Sequence, residues 1–159
     1  MTIRDRRIHA FRADLADARL EGEVAAARFA PGRPARVAAS VADLRKEPRA
    51  DSGIDTQFIH GDDVLVFDEA DGWAWVQGER DGYVGYLPAA ALGQRDGEPT
   101  HMVAVPRTFL YPRPDLKFPR AGELSMGSTV TVTDFAERIV VAVENKTTHP
   151  LFMSQNRDG

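Results

Sequence analysis

The sequence predicts an all-β protein built as two small barrels in tandem behind an N-terminal arm. Three observations lead there. Thirteen glycines and ten prolines are spread along the 159 residues and cut the chain into short segments, the punctuation that small barrels use. Runs such as Val64-Leu65-Val66-Phe67 are β-branched and aromatic, which suits a pleated, half-buried surface. A shift of 66 positions carries Val37 to Val103, Leu44 to Leu110, Pro48 to Pro114, Gly61 to Gly127, Val64 to Val130, Val66 to Val132 and Asp68 to Asp134 without a gap. Self-similarity at one fixed offset signals repeated units. Agreements at Val and Leu arise easily by chance, whereas those at Pro and Gly mark turns and weigh more.

The elements follow in order. Residues 1–36 form an arm rich in Ala, Arg and Asp, in which Asp14 is placed to cap a short helix through Leu15, Ala18 and Leu20, with Gly22 breaking the pattern. Ala30-Pro31-Gly32-Arg33-Pro34 reads as a linker, because prolines withhold the N–H that regular pairing needs. The first barrel is expected over 37–95. Its strand at Val64–Phe67 turns at Glu69-Ala70-Asp71-Gly72, returns over Trp73–Arg80, turns at Asp81-Gly82, and runs out again over Tyr83–Leu87. Asp-Gly suits a tight hairpin, since glycine accepts the positive φ of the primed turns. Pro88 should end the pairing and open a short helical turn through Leu92.

The second barrel, over 101–150, starts in the same way. Val130–Thr133 repeats the strand and Ile139–Val143 can return along it, while Thr108–Pro119, with three prolines, reads as a long loop rather than a recognition peptide. Nothing after Val143 resembles the Gly-Tyr-Val-Gly-Tyr-Leu-Pro close of the first copy, and 151–159 reads as a polar tail. The second barrel is therefore expected to be incomplete, with an unpaired edge.

Composition narrows the function. A net charge of −4 gives no overall attraction to phosphate backbones, so no nucleic-acid partner is expected. The first 24 residues hold no apolar run of seven, which argues against a secretory leader and for the cytoplasm. No stretch could span a bilayer, and no membrane partner is expected. The chain has no cysteine. No thiolate is available as a nucleophile or metal ligand. Its five serines, Ser40, Ser52, Ser125, Ser128 and Ser154, sit in no Gly-x-Ser-x-Gly elbow. His9, His60, His101 and His149 have no second ligand three or four positions away, so neither a metal nor a cofactor is expected. Asp68-Glu69-Ala70-Asp71-Gly72 lacks the alternating acids of a calcium loop and reads as a polar hairpin.

Residues Thr56 to Leu92 combine a Thr-Gln-x-x-x-Gly-acid start, a Gly-Trp-x-Trp-Val strand and a Gly-Tyr-Val-Gly-Tyr-Leu-Pro close, in that order. This segment resembles the bacterial SH3 domain at the front of NlpC-type cysteine peptidases, most closely the dipeptidyl-peptidase or γ-D-glutamyl-L-diamino-acid endopeptidase branch. The arm and the second copy fit the same layout of two SH3-like units ahead of a catalytic domain. The resemblance implies a substrate-gating or binding module for peptidoglycan-derived peptides. It also implies a partner in a separate or lost NlpC-type catalytic domain, because the Cys-His pair of such an enzyme is not in this sequence. As it stands, the chain is expected not to be an enzyme. The other function class is a stand-alone adaptor for cell-wall peptide or for a protein partner.

The first SH3 unit of the family helps to recognise the free amine of the substrate peptide, and a buried ammonium needs a carboxylate and further acceptors around it. The resemblance therefore points to Asp62, after Gly61, as counter-ion, with Tyr83 or Tyr86 as hydroxyl partner. The alternative is that Asp62 and Asp63 are solvated turn residues and that the tyrosines pack. A period of two puts Trp73, Trp75 and Gln77 on one face of their strand and Ala74 and Val76 on the other. If the small and branched pair faces the interior, both indoles form a ridge outside the barrel. That ridge is an interface or a ligand platform, with packing against the second unit, the arm or a catalytic domain the expected use.

Overall fold

A computed structural model describes residues 4–136, 139–142 and 151–154, and side-chain environments through residue 133. The architecture is all-β and SH3-like. Among the described residues the only helical pieces are two 3-10 turns, Ala18–Leu20 and Ala89–Ala91. The chain divides into two compact units, one of Met1–Val37, Val41–Phe58 and Asp62–Arg95, the other of Ala38–Ser40, Ile59–Gly61 and Asp96–Gly159.

In the first unit, β1 (Ala16–Asp17) pairs in parallel with β2 (Phe29–Ala30). The main sheet contains β3 (Arg33–Val37), β4 (Val41–Arg45), β5 (Ile54–Ile59), β6 (Asp63–Ala70), β7 (Trp73–Gly78), β8 (Val84–Pro88) and β9 (Leu92–Gly93). Their order is β5-β4-β8-β7-β6-β3-β9. Between β6 and β7 the turn is two residues, Asp71 at φ 52° and Gly72 at φ 80°. Two successive positive φ values give the primed turn whose twist matches the flanking strands. The next turn closes with Gly82 at φ 75°, its N–H bonded to the Gly78 carbonyl at 3.0 Å. The meander and the short turn after Pro88 thus form as the sequence predicts.

Alternation divides β7 as expected on its inner side, where Ala74 and Val76 are fully buried along with Leu44, Phe58, Val64 and Leu87. Register is interrupted once in β6. Val66 faces Val76 and Asp68 faces Trp75, leaving Phe67 as the bulged residue between them. A bulge shifts every later side chain by one position. Asp68, which strict alternation from Val64 and Val66 would turn inward, is thereby brought to the outer face beside Trp75.

The arm departs from its sequence reading in two places. Instead of a helix from Asp14, Leu15 and Ala16 are buried, and Asp17 caps the 3-10 turn by accepting from the Arg19 amide at 2.9 Å. Rather than a linker through Pro34, β3 begins at Arg33 and pairs Pro34 with Leu65. Proline is tolerated because β9 pairs only with Arg36 and Val37, leaving Pro34 with a ladder on one side.

The second unit contains β10 (His101–Met102), β11 (Arg107–Tyr111), β12 (Gly122–Ser125), β13 (Thr129–Val130), β14 (Val132–Ala136), β15 (Ile139–Ala142) and β16 (Leu151–Ser154). One sheet runs β12-β11-β16-β15-β14, and β10 pairs with β13. Moved by 66 positions, each strand from β3 to β8 falls on a strand of this unit and in the same neighbour order. The bulge returns between Val132 and Asp134, and Gly127 at φ 87° repeats Gly61 at φ 90°. Val103, Leu110, Leu124 and Val130 form its core, at the positions of Val37, Leu44, Phe58 and Val64.

Here the sequence expectation fails in one respect. Leu151–Ser154, read as part of a polar tail, is a strand between β11 and β15, where β8 lies between β4 and β7 in the first unit. The described sheet keeps β12 and β14 as its outer strands. Amide exchange checks the added strand: residues 151–154 should be protected as strongly as Arg107–Tyr111, and exchange at the rate of an unstructured peptide would remove β16. Gly127→Ala should cost about 1 kcal/mol or more in denaturant unfolding, because an L side chain at that φ is strained.

Candidate functional site

The register aligns Asp68 with Trp75 and Trp75 with Tyr86, and Tyr86 with Arg45, so one rung crosses four strands on the outer face. Cross-strand partners share a face and their side chains touch. Trp75 is 4% exposed, enclosed with Ala10, Leu15, Phe67 and Val84 in a core between the sheet and the arm. Its ring lies 5.6 Å from that of Phe67 at a tilt of 55°.

Arg12, from the arm, lies over this rung. Its guanidinium carbon is 4.4 Å from the centre of the Trp75 ring, and its Nη2 donates at 2.7 Å to both Asp14 and Asp68. Its Nη1 donates to the Tyr86 hydroxyl at 3.4 Å. Burial acts against the charge on Arg12, but the hydrogen bonds to Asp14, Asp68 and Tyr86 outweigh it and raise its pKa. The same contact holds the Asp14 carboxyl below its ordinary value. Arg12 is therefore a fixed cation at any pH the fold survives.

Beside Arg12 a cleft of about 180 Å³ is lined by Arg12, Pro48, Asp68, Asp71, Trp73 and Tyr86, among others. Its walls are aromatic and its rim is acidic. Asp71 sits on the two-residue turn, exposed, with no hydrogen bond or ion pair among the described residues. Trp73 is half-buried along the wall. The arrangement can stack a flat or aliphatic group against Trp73 and hold a cationic end against Asp71.

The structure brings only some of the sequence-predicted residues together. Trp73, Trp75 and Tyr86 meet at the cleft. Asp62 lies in the turn before β6, with its carboxylate 3.2 Å from Arg80. Tyr83, half-buried, belongs to the loop that carries Arg80, where its amide donates to Asp81 at 3.1 Å. Asp62 and Tyr83 do not line the cleft that holds Tyr86. The two indoles share a face but differ in role, one enclosed beneath the arm and one on the cleft wall. Sequence reasoning missed Arg12, Asp68 and Asp71. Arg12 has no spacing signal, and the bulge hides Asp68 from a period-two reading. Among the described residues no three His, Cys, Asp or Glu side chains converge as a metal set.

Comparison with known proteins fits this geometry. Residues 44–92 match the family model of the bacterial dipeptidyl-peptidase SH3 domain, a stretch that includes the rung and most of the cleft. No curated protein matches the sequence. Among solved structures the fold is similar to that of an NlpC/P60 family protein from Bacillus cereus, with a TM-score of 0.63 and 17% identity. The match covers 80% of this chain and 55% of that one, so the chain spans about half the length of that protein.

The enclosed and the half-open indole give a direct check. Trp75→Ala should lower unfolding stability by about 3–5 kcal/mol, the cost of emptying a packed aromatic site. Trp73→Ala should cost about 1 kcal/mol or less. Equal losses in a denaturant titration would contradict the separation of the two roles.

Proposed function

We propose that this chain is a non-catalytic binding and substrate-gating module of murein-peptide recycling, acting in the cytoplasm on peptidoglycan-derived peptides whose cleavage belongs to an NlpC-type cysteine peptidase domain. The observation that carries the reading is the coincidence of the dipeptidyl-peptidase SH3 match with an aromatic, acid-rimmed cleft built mostly from residues 44–92. Such a domain type implies a peptide with a free amine. The cleft supplies what an ammonium requires: the Asp71 carboxylate, the Tyr86 hydroxyl and the Trp73 face. Asp62 offers a second contact point, where the amine would share the carboxylate with Arg80.

Cleavage by this family needs a thiolate, and the sequence contains no cysteine. The reading is therefore one of binding without turnover. The adaptor reading, in which the same cleft holds the free end of a protein partner, uses the same residues. It differs in preferring a protein terminus to a muropeptide.

Isothermal titration with L-Ala-γ-D-Glu-diaminopimelate tests the proposal. The purified chain should bind the peptide and leave it intact, and N-acetylation of the peptide should weaken binding at least about tenfold, as expected for loss of a charge-assisted contact. Asp62→Asn, Tyr83→Phe, Tyr86→Phe and Trp73→Ala should separate the two contact points, since the residues that hold the amine lose the distinction between free and acetylated peptide. Hydrolysis of the γ-D-Glu linkage by the pure chain, or no binding of the free peptide, would overturn it.

A further inference from the structure

The loop between β11 and β12, residues 112–121, is exposed throughout and takes no part in the cleft. Two of its apolar side chains face water, Leu116 at 52% and Phe118 at 37% exposure. Its one acid is occupied within the loop: Asp115 accepts from the Lys117 amide through Oδ1 at 2.9 Å and from the Phe118 amide through its carbonyl at 3.1 Å. That turn holds Leu116 at its apex.

The cations of the loop are differently disposed. Arg113 lies over the Phe118 ring at 5.0 Å and Arg120 over Phe109 at 3.5 Å. Neither they nor Lys117 meet a carboxylate among the described residues, although most other arginines of the chain do. The loop thus carries three cations around two apolar tips on a protein whose net charge is −4. Its three prolines, Pro112, Pro114 and Pro119, restrict the backbone before any partner arrives, which lowers the entropy lost on docking.

We propose that this loop docks the second unit on a bilayer surface bearing anionic phospholipid. Leu116 and Phe118 enter the boundary between headgroups and acyl chains, while Arg113, Lys117 and Arg120 sit at the phosphate level. The pairing of apolar tips with flanking cations matches the layering of such an interface, apolar below and anionic above. A surface contact of this kind needs no spanning segment, and it stands independently of what the cleft binds.

Co-sedimentation of the full chain with vesicles decides the matter, comparing phosphatidylcholine alone with phosphatidylcholine containing phosphatidylglycerol. The chain should partition onto the anionic vesicles and less so as salt rises. Lys117→Glu and Arg120→Glu should each reduce partitioning by at least about fivefold, the effect of one basic side chain near a charged surface. Leu116→Ser with Phe118→Ser should reduce it at constant charge, with an unchanged melting curve showing that the exposed positions leave the fold intact. Equal binding to both vesicle types, no binding to either, or capture by soluble polyphosphate that ignores the Leu116 and Phe118 changes would each overturn the proposal.

Discussion

The first unit depends on keeping water off the outer face of Trp75. A sheet that buries Ala74 and Val76 on one side must leave the alternate residues on the other, and there the chain has placed two indoles. An indole buries roughly 150–250 Å², worth about 4–6 kcal/mol at the usual apolar transfer value. That gain is realised only because Ala10 and Leu15 of the arm close over the ring. The arm is thus a second layer of the domain, although it has almost no regular structure of its own. Arg12 completes the layer by stacking on the indole while its hydrogen bonds satisfy Asp14 and Asp68. Its charge is compensated where an unpaired one would be costly.

Duplication explains how one copy could specialise. Both copies keep the same strand order and the same bulge, and Gly61 and Gly127, which precede the bulged strand at equivalent positions, share a positive φ. These are backbone devices, and backbone geometry is what two copies of a fold must share. The side chains of the rung diverge. Trp75 and Tyr86 become Val141 and Phe152 at the equivalent positions, and the five residues 96–100 that precede the second unit's first strand are too few to repeat the arm. Only the first copy can therefore assemble an arginine, an indole and a tyrosine on one face.

The legible part of the sequence was the part governed by local rules. Asp71-Gly72 announced its hairpin because few residue pairs accept two positive φ values. Pro48 and Pro114, with Gly61 and Gly127, revealed the repeat because turns tolerate few substitutions. The arm was illegible for the opposite reason: β1 and β2 have two residues each and pair in parallel, which leaves no period to detect. β16 was hidden because Gly85-Tyr86-Leu87 of the first copy's close have become Leu151-Phe152-Met153 in a polar setting. The cleft was hidden by a single bulged residue, since a period-two reading turns Asp68 into the barrel.

Charge compensation also ranks the acids that could meet a ligand amine. Asp68 already holds Arg12, and Asp62 already meets Arg80. An incoming ammonium at either place exchanges one cation for another, and such an exchange yields little net energy because the lost pair must be resolvated. Asp71 has no such partner to lose and stands next to Trp73. The affinity of the cleft for a cation should therefore come mainly from Asp71 and the aromatic wall. Asp62, with a cation already in place and no share in the cleft wall, offers an incoming ammonium less than Asp71 does.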